Sequence, residues 1–387
     1  MEEKVSLPLE DTSSITKSNS LTSLANFASL DDFQNSGEQG RHVLCQKEKI
    51  GKLNVVKSQF EEWGKNVEEI INNELYYPEC TLIRLNSAKI HAPTYLIHTN
   101  EGDLLSDLSI WRGKFRSDMF DEANCAFKGQ YGIIANNNFM NFSHWHTEML
   151  PATVQMRNIG LFDKKFIFPN LDLSFHRPTL HAFGITMDDH LQIKNGVIDV
   201  EKLVYCSYLD HSRGKDVAWP KEILNISDRL SFLASRQEKR KWPKIFYLSR
   251  RDSQRRKCMN ELELEQEFAK MGIVSIIAGK LTYYEQVSLF KDADAIIALH
   301  GAGLNNIMFC RPETLIIEAQ PPRSGNTAFL KLAAMKGLNY ALYQEEDSEE
   351  DVVGEFPKNR HRDWNVNITK FANFSKECLD LVGKSAI

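Results

Sequence analysis

Short apolar runs alternate with amphipathic segments from residue 244 to residue 343. Each run is bounded by Gly, Pro or charged residues, which is typical of strands buried on both faces of a parallel sheet. The segments between the runs place apolar residues three and four positions apart, as amphipathic helices do. We therefore predict a doubly wound α/β sheet of the nucleotide-binding type. The predicted strands are Lys244–Leu248, Val274–Ala278, Ala295–Leu299, Thr314–Ala319 and Tyr340–Tyr343.

The helices of this region are marked by their ends. Thr282 and Glu285 form a capping-box pattern at the start of one helix, and Gly337 follows another helix as its C-cap. Pro312 lacks the amide hydrogen that a continuing helix needs, so it ends the helical turns that begin at Leu304. The predicted helices are Glu261–Met271, Thr282–Phe290, Leu304–Phe309, Thr327–Lys336 and Ile368–Leu381.

The pattern before residue 244 is less regular. A helix is predicted over Asn138–Gly160, with Pro151 at its first turn or at a kink. An amphipathic helix is predicted over Val55–Leu75 from its apolar spacing. A strand, helix, strand order then indicates a parallel βαβ unit. The other predicted strands are Thr81–Ile83, Thr94–Ile97, Tyr131–Ala135, Phe166–Phe168 and Lys202–Tyr208, and the other helices are Pro178–Phe183 and Lys221–Glu238.

The length of 387 residues predicts two domains, because single cores stop growing at about 250 to 300 residues. Residues 1–40 are rich in Ser, Thr, Asn and acidic residues and are predicted to be disordered. The polar stretch 210–220 contains Gly and Pro and predicts a linker. We place an N-terminal α/β domain at 41–215, a C-terminal nucleotide-binding domain at 216–365, and a helix at 366–387 that has room to cross back onto the first domain.

Charge and cysteine content indicate which binding partners and which cellular compartment are expected. A net charge of −5 and a pI near 6.2 give no general attraction for nucleic acid or acidic membranes. The seven cysteines are scattered and form no CxxC pair, which favours reduced thiols in a cytosol. The N-terminus lacks a signal-peptide pattern, and no run of about 18 apolar residues predicts a transmembrane helix. We expect a cytoplasmic protein, with any membrane contact peripheral at the inner face.

The stretch from Asp292 to Pro322 carries the first candidate binding site. A buried strand, a turn with Gly301 and Gly303, and a short helix follow one another there. Unpaired amides at the start of such a helix attract phosphate oxygens, so His300 to Asn305 is a candidate anion site. The alternative is that the glycines only make a tight turn.

A basic segment follows the strand Lys244–Leu248. It contains Arg250, Arg251, Arg255, Arg256 and Lys257. Arginine at the carboxyl end of a parallel strand points into the ligand crevice and can hold a diphosphate through two parallel hydrogen bonds. A solvated loop is the second interpretation. A nucleic-acid patch is the third, because the cluster contains no aromatic residue for base stacking.

Candidate acid/base residues crowd the start of the predicted helix Asn138–Gly160. His144 and His146 are two residues apart and do not share a helix face, which excludes a zinc pair of the HExxH type. His144 and Glu148 are one turn apart and form a plausible acid/base unit. The other interpretation is a structural histidine that caps the helix.

Taken together, these segments resemble glycosyltransferase family 61 from Asn138 to Tyr343, about half of the chain. Four motifs stand in the family's order. They are Asn141 to Pro151, then Tyr247 to Arg251 with Arg256, Asn260 and Glu261, then Glu285 and Gln286 ahead of Phe290, and finally His300 to Asn306 with Pro312 and Glu318. The chain departs from the family at His146, Asn305 and Glu313, where an aliphatic residue, Thr and Gly are usual.

The resemblance implies a GT-B architecture, in which two Rossmann-like domains face each other across a cleft. It also implies inverting transfer of a sugar from a nucleotide sugar to a glycan acceptor, as in capsule and polysaccharide biosynthesis. Inversion needs a single displacement, for which His144 or Glu148 would be the base on the acceptor side. Glu318 would accept hydrogen bonds from the ribose hydroxyls. The residues implied in donor binding are Arg250, Arg251, Arg256, His300, Gly301, Ala302, Gly303, Asn306 and Glu318.

The expected partners are a nucleotide sugar and a glycan acceptor, with no nucleic acid and no further cofactor. The only DxD-like sequence, Asp292 to Asp294, precedes a strand rather than following one, so metal independence is expected. Two other functions stay open. A nonenzymatic nucleotide-sugar sensor or scaffold would bind a nucleoside diphosphate without transfer, and a polysaccharide pyruvyl transferase would depend on phosphoenolpyruvate.

Overall fold

The computed structural model describes residues 34–36, 38–59, 65–102, 104–105, 120, 123–134, 138–159, 166–186, 190–207, 215–322, 324–346 and 363–384. Most of the predicted disordered segment 1–40 and residues 210–214 of the predicted linker 210–220 lie outside the described residues.

Strands and short helices alternate along the described chain. The strands are β1 (Gly40–Cys45), β2 (Glu48–Gly51), β3 (Asn54–Gln59), β4 (Leu75–Tyr77), β5 (Cys80–Ala92), β6 (Leu96–Thr99), β7 (Leu104–Leu105), β8 (Cys125–Ile133), β9 (Phe166–Pro169), β10 (Leu191–Ile193), β11 (Gly196–Ser207), β12 (Ile245–Ser249), β13 (Val274–Ile277), β14 (Ala295–Leu299), β15 (Leu315–Gln320) and β16 (Asn339–Gln344). The helices are α1 (Lys65–Asn72), α2 (Phe142–His144, continued by Trp145–Met149 and Leu150–Asn158), α3 (His176–Ala182), α4 (Glu222–Gln237), α5 (Glu261–Lys270), α6 (Tyr283–Asp292), α7 (Ala328–Lys336) and α8 (Ile368–Leu381), with 3-10 turns at Ala278–Lys280 and Ala302–Phe309.

The C-terminal half forms the parallel sheet that the sequence predicts. Its strand order is β13-β12-β14-β15-β16-β3, and all of these described pairings are parallel. Side chains alternate between two cores: Phe246 faces the core that contains α6, and Tyr247 faces the core that contains α5 and α8. Because both faces are covered, the strands read as continuous apolar runs. The capping box of Thr282 and Glu285 is present at the start of α6.

The order of the strands places a topological switch point between β12 and β14. The chain runs from β12 to its neighbour β13 and then returns to β14 on the other side of β12. The loops that leave the carboxyl ends of β12 and β14 therefore diverge and open a crevice between them. Arg250 follows β12 and His300 follows β14, so both sequence motifs lie at this crevice.

The N-terminal sheet is only partly parallel. Its order is β10-β9-β8-β11-β5-β6-β7, with β1 also paired to β5. The pairings from β10 to β11 are parallel, which confirms the predicted βαβ unit, but β11, β5 and β6 pair in antiparallel fashion. The long strands Cys80–Ala92 and Gly196–Ser207 form this antiparallel ladder. The expectation of a Rossmann-like sheet thus describes one part of the first sheet.

The predicted helix over Val55–Leu75 is wrong in its first part. Asn54–Gln59 is strand β3, which pairs with β16 at the edge of the second sheet, and the helix starts later, at Lys65–Asn72. Backbone pairing with an open sheet edge outweighs the helical spacing of the apolar residues, and the adjacent β-branched Val55 and Val56 suit a strand. The second sheet therefore contains residues from before position 215.

Helix α8 packs on the second sheet. It contacts α5, β15, β16 and β3, and Phe371 and Phe374 lie beside Tyr343 of β16. We expected a helix in this place, and Ile368–Leu381 matches the predicted bounds. The contacts fasten it to the nucleotide-binding-type sheet, whereas we had allowed for a crossing to the first domain.

Glu313 occupies a turn that favours glycine. Its φ of 67° lies in the left-handed region, and its amide donates to the carbonyl of Gly337 at 2.8 Å. This is the position where family 61 commonly has Gly. The turn keeps its left-handed geometry with a side chain in place.

Helix α2 joins the two sheets. It begins with a cap from Asn141 and widens into a π turn at Trp145–Met149, directly before Pro151, which has no amide hydrogen for the ladder. Trp145 is fully buried, and its indole N–H donates to Thr179 of α3 at 2.9 Å.

His146 of α2 contacts Tyr283 of α6, a helix that packs on the second sheet. Its Nδ1–H donates to the carbonyl of Phe142 at 2.7 Å, and its Nε2 accepts from the hydroxyl of Tyr283 at 2.9 Å. Burial lowers the pKa of His146 to about 3, so the ring is neutral at ordinary pH. His146 is therefore a structural histidine: its hydrogen bond to Phe142 fixes the ring on α2, and its hydrogen bond to Tyr283 ties α2 to α6.

All seven cysteines lie within the described residues and are free thiols. In the part of the chain that the structure describes, none of the helices combines the length and the apolar character needed to span a bilayer.

The buried, neutral His146 should contribute to the loss of stability of the protein as the pH falls. Its pKa in the folded protein is about 3, below the value near 6.5 of an exposed histidine. Between these pH values the unfolded chain binds a proton that the folded protein does not, so the free energy of unfolding falls as the pH falls, by up to about 1.4 kcal/mol per pH unit. We expect the Tm of a His146→Leu variant to fall less than that of the wild type between pH 7 and pH 5.

The comparison uses the slopes of Tm against pH and not the absolute Tm values, because Tyr283 loses its acceptor in the variant at every pH. Calorimetry or circular dichroism gives both slopes. Equal slopes in the two proteins would contradict a neutral, buried His146.

Candidate functional site

The loop after β12 is anchored by a buried carboxylate. The backbone amide of Arg250 donates to Glu261 Oε1 at 2.6 Å, and the hydroxyl of Tyr247 donates to the same oxygen at 2.9 Å. Burial raises the pKa of Glu261, while the hydrogen bonds from Arg250 and Tyr247 oppose that rise. Glu261 begins α5, so the first turn of this helix fixes where Arg250 leaves the sheet.

The guanidinium of Arg250 lies against Gly301. A Cβ atom added at Gly301 would stand 2.2 Å from Arg250 Nε, which is closer than real atoms approach. The φ of Gly301 is 178°, an extended value that other residues adopt freely, so it is the space beside Arg250 and not the backbone that requires glycine here. The two motifs, separated by about 50 residues in sequence, therefore meet at the switch point.

The charge of Arg250 is held in an unfavourable place. Burial lowers its pKa, and the like charge of Arg256 lowers it further. The guanidinium donates to the carbonyls of Arg255 and Arg256 and to the hydroxyl of Ser253, at 3.2–3.4 Å. Uncharged acceptor groups of the loop thus fix its orientation, and an anion beside it would offset both the burial and the repulsion.

Arg251 lies apart from this cluster. Its side chain is 45% exposed, and its Nε donates to Glu265 of α5 at 2.9 Å. Arg250 and Arg251 therefore diverge after the strand. The structure does not bring Arg251 to the cavity, because the chain turns here, with the amide of Ser253 donating to the carbonyl of Arg250 at 2.8 Å.

The loop after β14 rests on a buried histidine–glutamate pair. His300 Nδ1–H donates to Glu318 Oε1 at 2.6 Å. The other oxygen of Glu318 accepts from Tyr340 at 2.7 Å and from Gln320 at 3.0 Å. Glu318 is fully buried and both of its oxygens are occupied, so it does not reach a ribose as the sequence implied. Its hydrogen bond sets the tautomer of His300 and directs Nε2 away from the sheet.

A cavity of about 410 Å³ lies at the carboxyl ends of β12, β13 and β14. Arg250, Arg256, Ala302, Gly303 and Asn306 line it, which brings most of the predicted donor-binding residues together. Other lining residues that the argument uses are Phe142, Phe175, Asp252, Gly279 and Gln286. We call this space the first cavity.

A second cavity, of about 430 Å³, lies beside the first one over the end of β15. Trp219, Asn326, Thr327 and Lys331 line it, and Arg256 lines both cavities. Burial lowers the pKa of Lys331, whose Nζ donates to the carbonyl of Val217 at 2.7 Å. The crevice therefore contains two neighbouring cavities, and Arg256 lines both of them.

The acid/base pair predicted on α2 is formed. His144 Nδ1–H donates to Glu148 Oε1 at 2.7 Å, and both side chains are partly shielded from solvent. Burial lowers the pKa of His144, but the hydrogen bond and the charge of Glu148 raise it more, and the net pKa is above its ordinary value. A histidine of this kind can take a proton, and the carboxylate beside it stabilises the imidazolium that forms.

Helix α2 reaches the crevice with its first turn. Phe142 lines the first cavity, and the hydroxyl of Ser143 donates to Asn305 in the 3-10 helix Ala302–Phe309 at 3.0 Å. His144 follows directly. The turn that carries the acid/base pair is thus fastened to the loop that follows β14.

Several lining residues were missed from the sequence. Phe142 lies in the motif from Asn141 to Pro151, whose candidate site residues were its charged groups. Gly279 follows a predicted strand, as Gly301 does. A Cβ at Gly279 would stand 2.3 Å from Asp252 Oδ2, so that glycine also permits a close approach. Phe175 and Trp219 belong to segments without any motif, and their position depends on the packing of the two sheets.

Comparison with known proteins gives two matches. The family model described as Glycosyltransferase 61 matches residues 142–317. The EGF domain-specific O-linked N-acetylglucosamine transferase of Drosophila melanogaster is 28% identical over 149 residues, which are 37% of this chain and 27% of that protein. The chain therefore spans about a quarter of the length of this curated relative.

The matched range holds the α2 motif, the loop after β12 and the loop after β14, the elements that meet around the first cavity. Over residues 142–317 the chain is therefore similar to glycosyltransferase family 61.

Proposed function

We propose that the protein is an inverting glycosyltransferase that moves a sugar from a nucleotide-sugar donor to a hydroxyl group of a glycan acceptor without a metal ion. The observation that carries this proposal is the contact of Arg250 with Gly301 at the switch point of the parallel sheet. Phosphates bind at such positions in open α/β sheets. The family match over the same residues supports sugar transfer.

The diphosphate of the donor is assigned to the space between Arg250, Arg256 and the start of the helix Ala302–Phe309. An arginine fork can hold two phosphate oxygens at once. The repulsion between the two guanidinium groups, which helps to lower the pKa of Arg250, would turn into attraction for a bound diphosphate. Negative charge grows on the diphosphate as the bond to the sugar breaks, and fixed cations stabilise it best in a water-poor site. In this proposal the arginines supply the charge that a metal supplies in other transferases.

The base is assigned to His144, with Glu148 as the carboxylate that stabilises the positive charge of the protonated ring. In a single displacement the acceptor oxygen attacks the anomeric carbon while the bond to the diphosphate breaks on the opposite side. The acceptor proton goes to His144 Nε2, because Nδ1 is already engaged with Glu148. The electron pair of the broken bond stays on the phosphate oxygen, beside the arginines.

We assign the carboxylate of Asp252 to the ribose hydroxyls, in place of Glu318. Asp252 lines the first cavity and is exposed, whereas Glu318 is buried beneath His300. Carboxylates near the end of a strand often accept hydrogen bonds from a ribose in nucleotide-binding sheets. Glu318 instead positions His300.

The overall arrangement is assigned to the GT-B type. The parallel sheet with the switch point would hold the donor, and the partly parallel sheet would hold the acceptor. Helix α2, which lies between them and carries His144, supports this assignment. The second cavity, with Trp219 and Lys331, is the place for the transferred sugar or the first acceptor unit.

Two kinds of acceptor are compatible with this site. The resemblance favours a glycan, as in capsule or other polysaccharide biosynthesis in the cytoplasm. The name of the Drosophila melanogaster relative describes transfer to a protein domain, so a hydroxyl group on a polypeptide is the second candidate. A panel of nucleotide sugars in a thermal-shift assay would identify the donor first, since a ligand at about 100 times its Kd stabilises the fold by about 2.7 kcal/mol.

A nucleotide-sugar sensor and a pyruvyl transferase are the other functions to test. A sensor needs the anion site alone and has no use for the His144–Glu148 pair. Nucleoside diphosphate binding without transfer would favour the sensor, and dependence on phosphoenolpyruvate would favour the pyruvyl transferase.

Arg250→Ala should weaken binding of the nucleoside diphosphate by roughly tenfold to a hundredfold, because a hydrogen bond to a charged group contributes about 1.5–3 kcal/mol. Isothermal titration calorimetry with UDP and GDP measures the change. Arg251→Ala is the matched control: it removes the same charge from the next residue, which pairs with Glu265 outside the cavity. Equal losses in the two variants would mean that general charge, and not the contact with Gly301, attracts the nucleotide.

Gly301→Ala should reduce kcat/KM by about a hundredfold, because the new Cβ displaces the guanidinium of Arg250 and misplacement by about 1 Å can cost this much. The thermal stability should change little, since the φ of 178° suits alanine. Gly303→Ala is the comparison: a Cβ there meets only Leu248 Cδ2, at 3.9 Å. We expect a clearly smaller effect from it. A loss as large as that of Gly301→Ala would contradict the spacing argument.

The pH profile should reveal the base. A raised pKa of His144 means that kcat/KM falls as the pH decreases through a value above 6.5, because the base must be neutral to take a proton. Glu148→Gln removes the influence that raises this pKa and leaves the burial that lowers it. The acidic limb should therefore move to lower pH while kcat decreases.

His144→Ala should lose about 10²- to 10⁴-fold in kcat, the usual contribution of a general base. It should lose more than Glu148→Gln. The reverse order, or an acidic limb that stays in place in Glu148→Gln, would assign the base to Glu148 instead.

A further inference from the structure

Asn306 carries a buried acceptor without a donor. Its side chain lines the first cavity, and its exposed fraction is 0%. Among the described residues, no group donates a hydrogen bond to its Oδ1. An unsatisfied buried carbonyl costs about 1–3 kcal/mol, so it calls for a partner that is bound in the working protein.

The orientation of this amide is fixed by its neighbours. Asn306 Nδ2 donates to the carbonyl of Gly303 at 3.0 Å and to Gln286 Oε1 at 3.2 Å. Gln286 Nε2 donates in turn to the carbonyl of Leu281 at 3.3 Å. Backbone carbonyls can only accept, so neither amide can be turned over without losing a hydrogen bond. The oxygen of Asn306 is therefore the atom of this amide that is left without a partner among the described residues.

The missing donor belongs to the nucleoside part of the ligand. A diphosphate offers only acceptors at neutral pH and cannot bond to a carbonyl oxygen. Asn306 contacts α6, which follows β13, whereas the second cavity lies on the other side of the crevice, over β15. Phe142 and Phe175 line the first cavity and offer ring faces for a base.

We propose that Asn306 Oδ1 accepts a hydrogen bond from an N–H or O–H group of the donor's nucleoside, and that Gln286 is a positioning residue that holds Asn306 in the accepting orientation. This inference rests on the proposed nucleotide-sugar site and names the side chain that recognises the nucleoside of the donor. It makes Asn306 a determinant of donor specificity, because a ligand without that N–H or O–H leaves the buried oxygen unpaired.

Asn305 offers a matched control. It is the same residue type, it lies in the same 3-10 helix, and it is equally buried. Its Oδ1 already accepts from Ser143 at 3.0 Å, and it does not line the first cavity. Asn305→Ala and Asn306→Ala both remove a buried amide, so both are expected to lower the Tm, while Asn306→Ala alone should remove a contact with the ligand.

The experiment is a thermodynamic cycle between protein and ligand. The affinities of wild type, Asn306→Ala and Asn305→Ala are measured by calorimetry for UDP or GDP, whichever binds the wild type. They are measured again for analogues that lack one donor each: a base methylated at its ring N–H, a 2′-deoxyribose and a 3′-deoxyribose. The three analogues separate a contact to the base from a contact to either ribose hydroxyl.

One analogue should lose about fivefold in affinity for wild type and for Asn305→Ala, the effect of one neutral hydrogen bond, and should lose nothing further for Asn306→Ala. Gln286→Leu should diminish this discrimination without abolishing binding, and Gln286→Glu, which keeps an acceptor for Asn306 Nδ2, should retain more of it.

Additive losses for all three analogues would overturn the inference, since they would mean that a resident water satisfies Asn306. If Asn306→Ala does not fold, the analogue series on wild type and Gln286→Leu decides the question in the same way. Absence of any nucleoside diphosphate binding to the wild type would instead refute the proposed function, and with it the inference.

Discussion

The site depends on the close approach of one arginine to one glycine. The loops after two neighbouring parallel strands, β12 and β14, bring Arg250 and Gly301 together at the switch point, and the guanidinium fits only because Gly301 has no side chain. Glu261 holds the backbone of Arg250 from the start of α5, and the pair of His300 and Glu318 supports the other loop from below. The cation is thus fixed before any ligand arrives, which reduces the ordering that binding requires.

Two histidine–carboxylate pairs flank the crevice, and their surroundings suit them to different tasks. The pair of His300 and Glu318 is buried and tied to Tyr340, so it is a rigid support for the loop after β14. The pair of His144 and Glu148 is partly exposed on the first turns of α2, where a proton can enter and leave. The same two residue types therefore act as a support in one place and, in the proposed mechanism, as an acid/base unit in the other, and burial makes the difference.

Sequence patterns predicted those features that local chemistry decides. The strands β12 to β16 are apolar because both faces are covered, and their bounds agree with the predicted ones to within about two residues. Strand β3 was missed because its partner β16 lies almost 300 residues away in sequence. The role of Glu318 was misjudged for a similar reason: a strand pattern shows which face a side chain takes, but the three groups that surround Glu318 come from separate strands and a loop.

Three unfavourable features of the unliganded domain lie together around the first cavity. Arg250 is buried beside the like charge of Arg256, Arg256 itself has a φ of 52°, in the region that disfavours side chains, and Asn306 keeps an oxygen without a donor. The surrounding sheet shows the opposite character, with paired strands, a capping box and two apolar cores. A repelled charge, a left-handed backbone and an unpaired oxygen that meet at one cavity indicate a site shaped for a ligand. A ligand that carries two phosphates and a nucleoside would relieve both the charge repulsion and the unpaired oxygen, and this matches the donor that the proposed transfer requires.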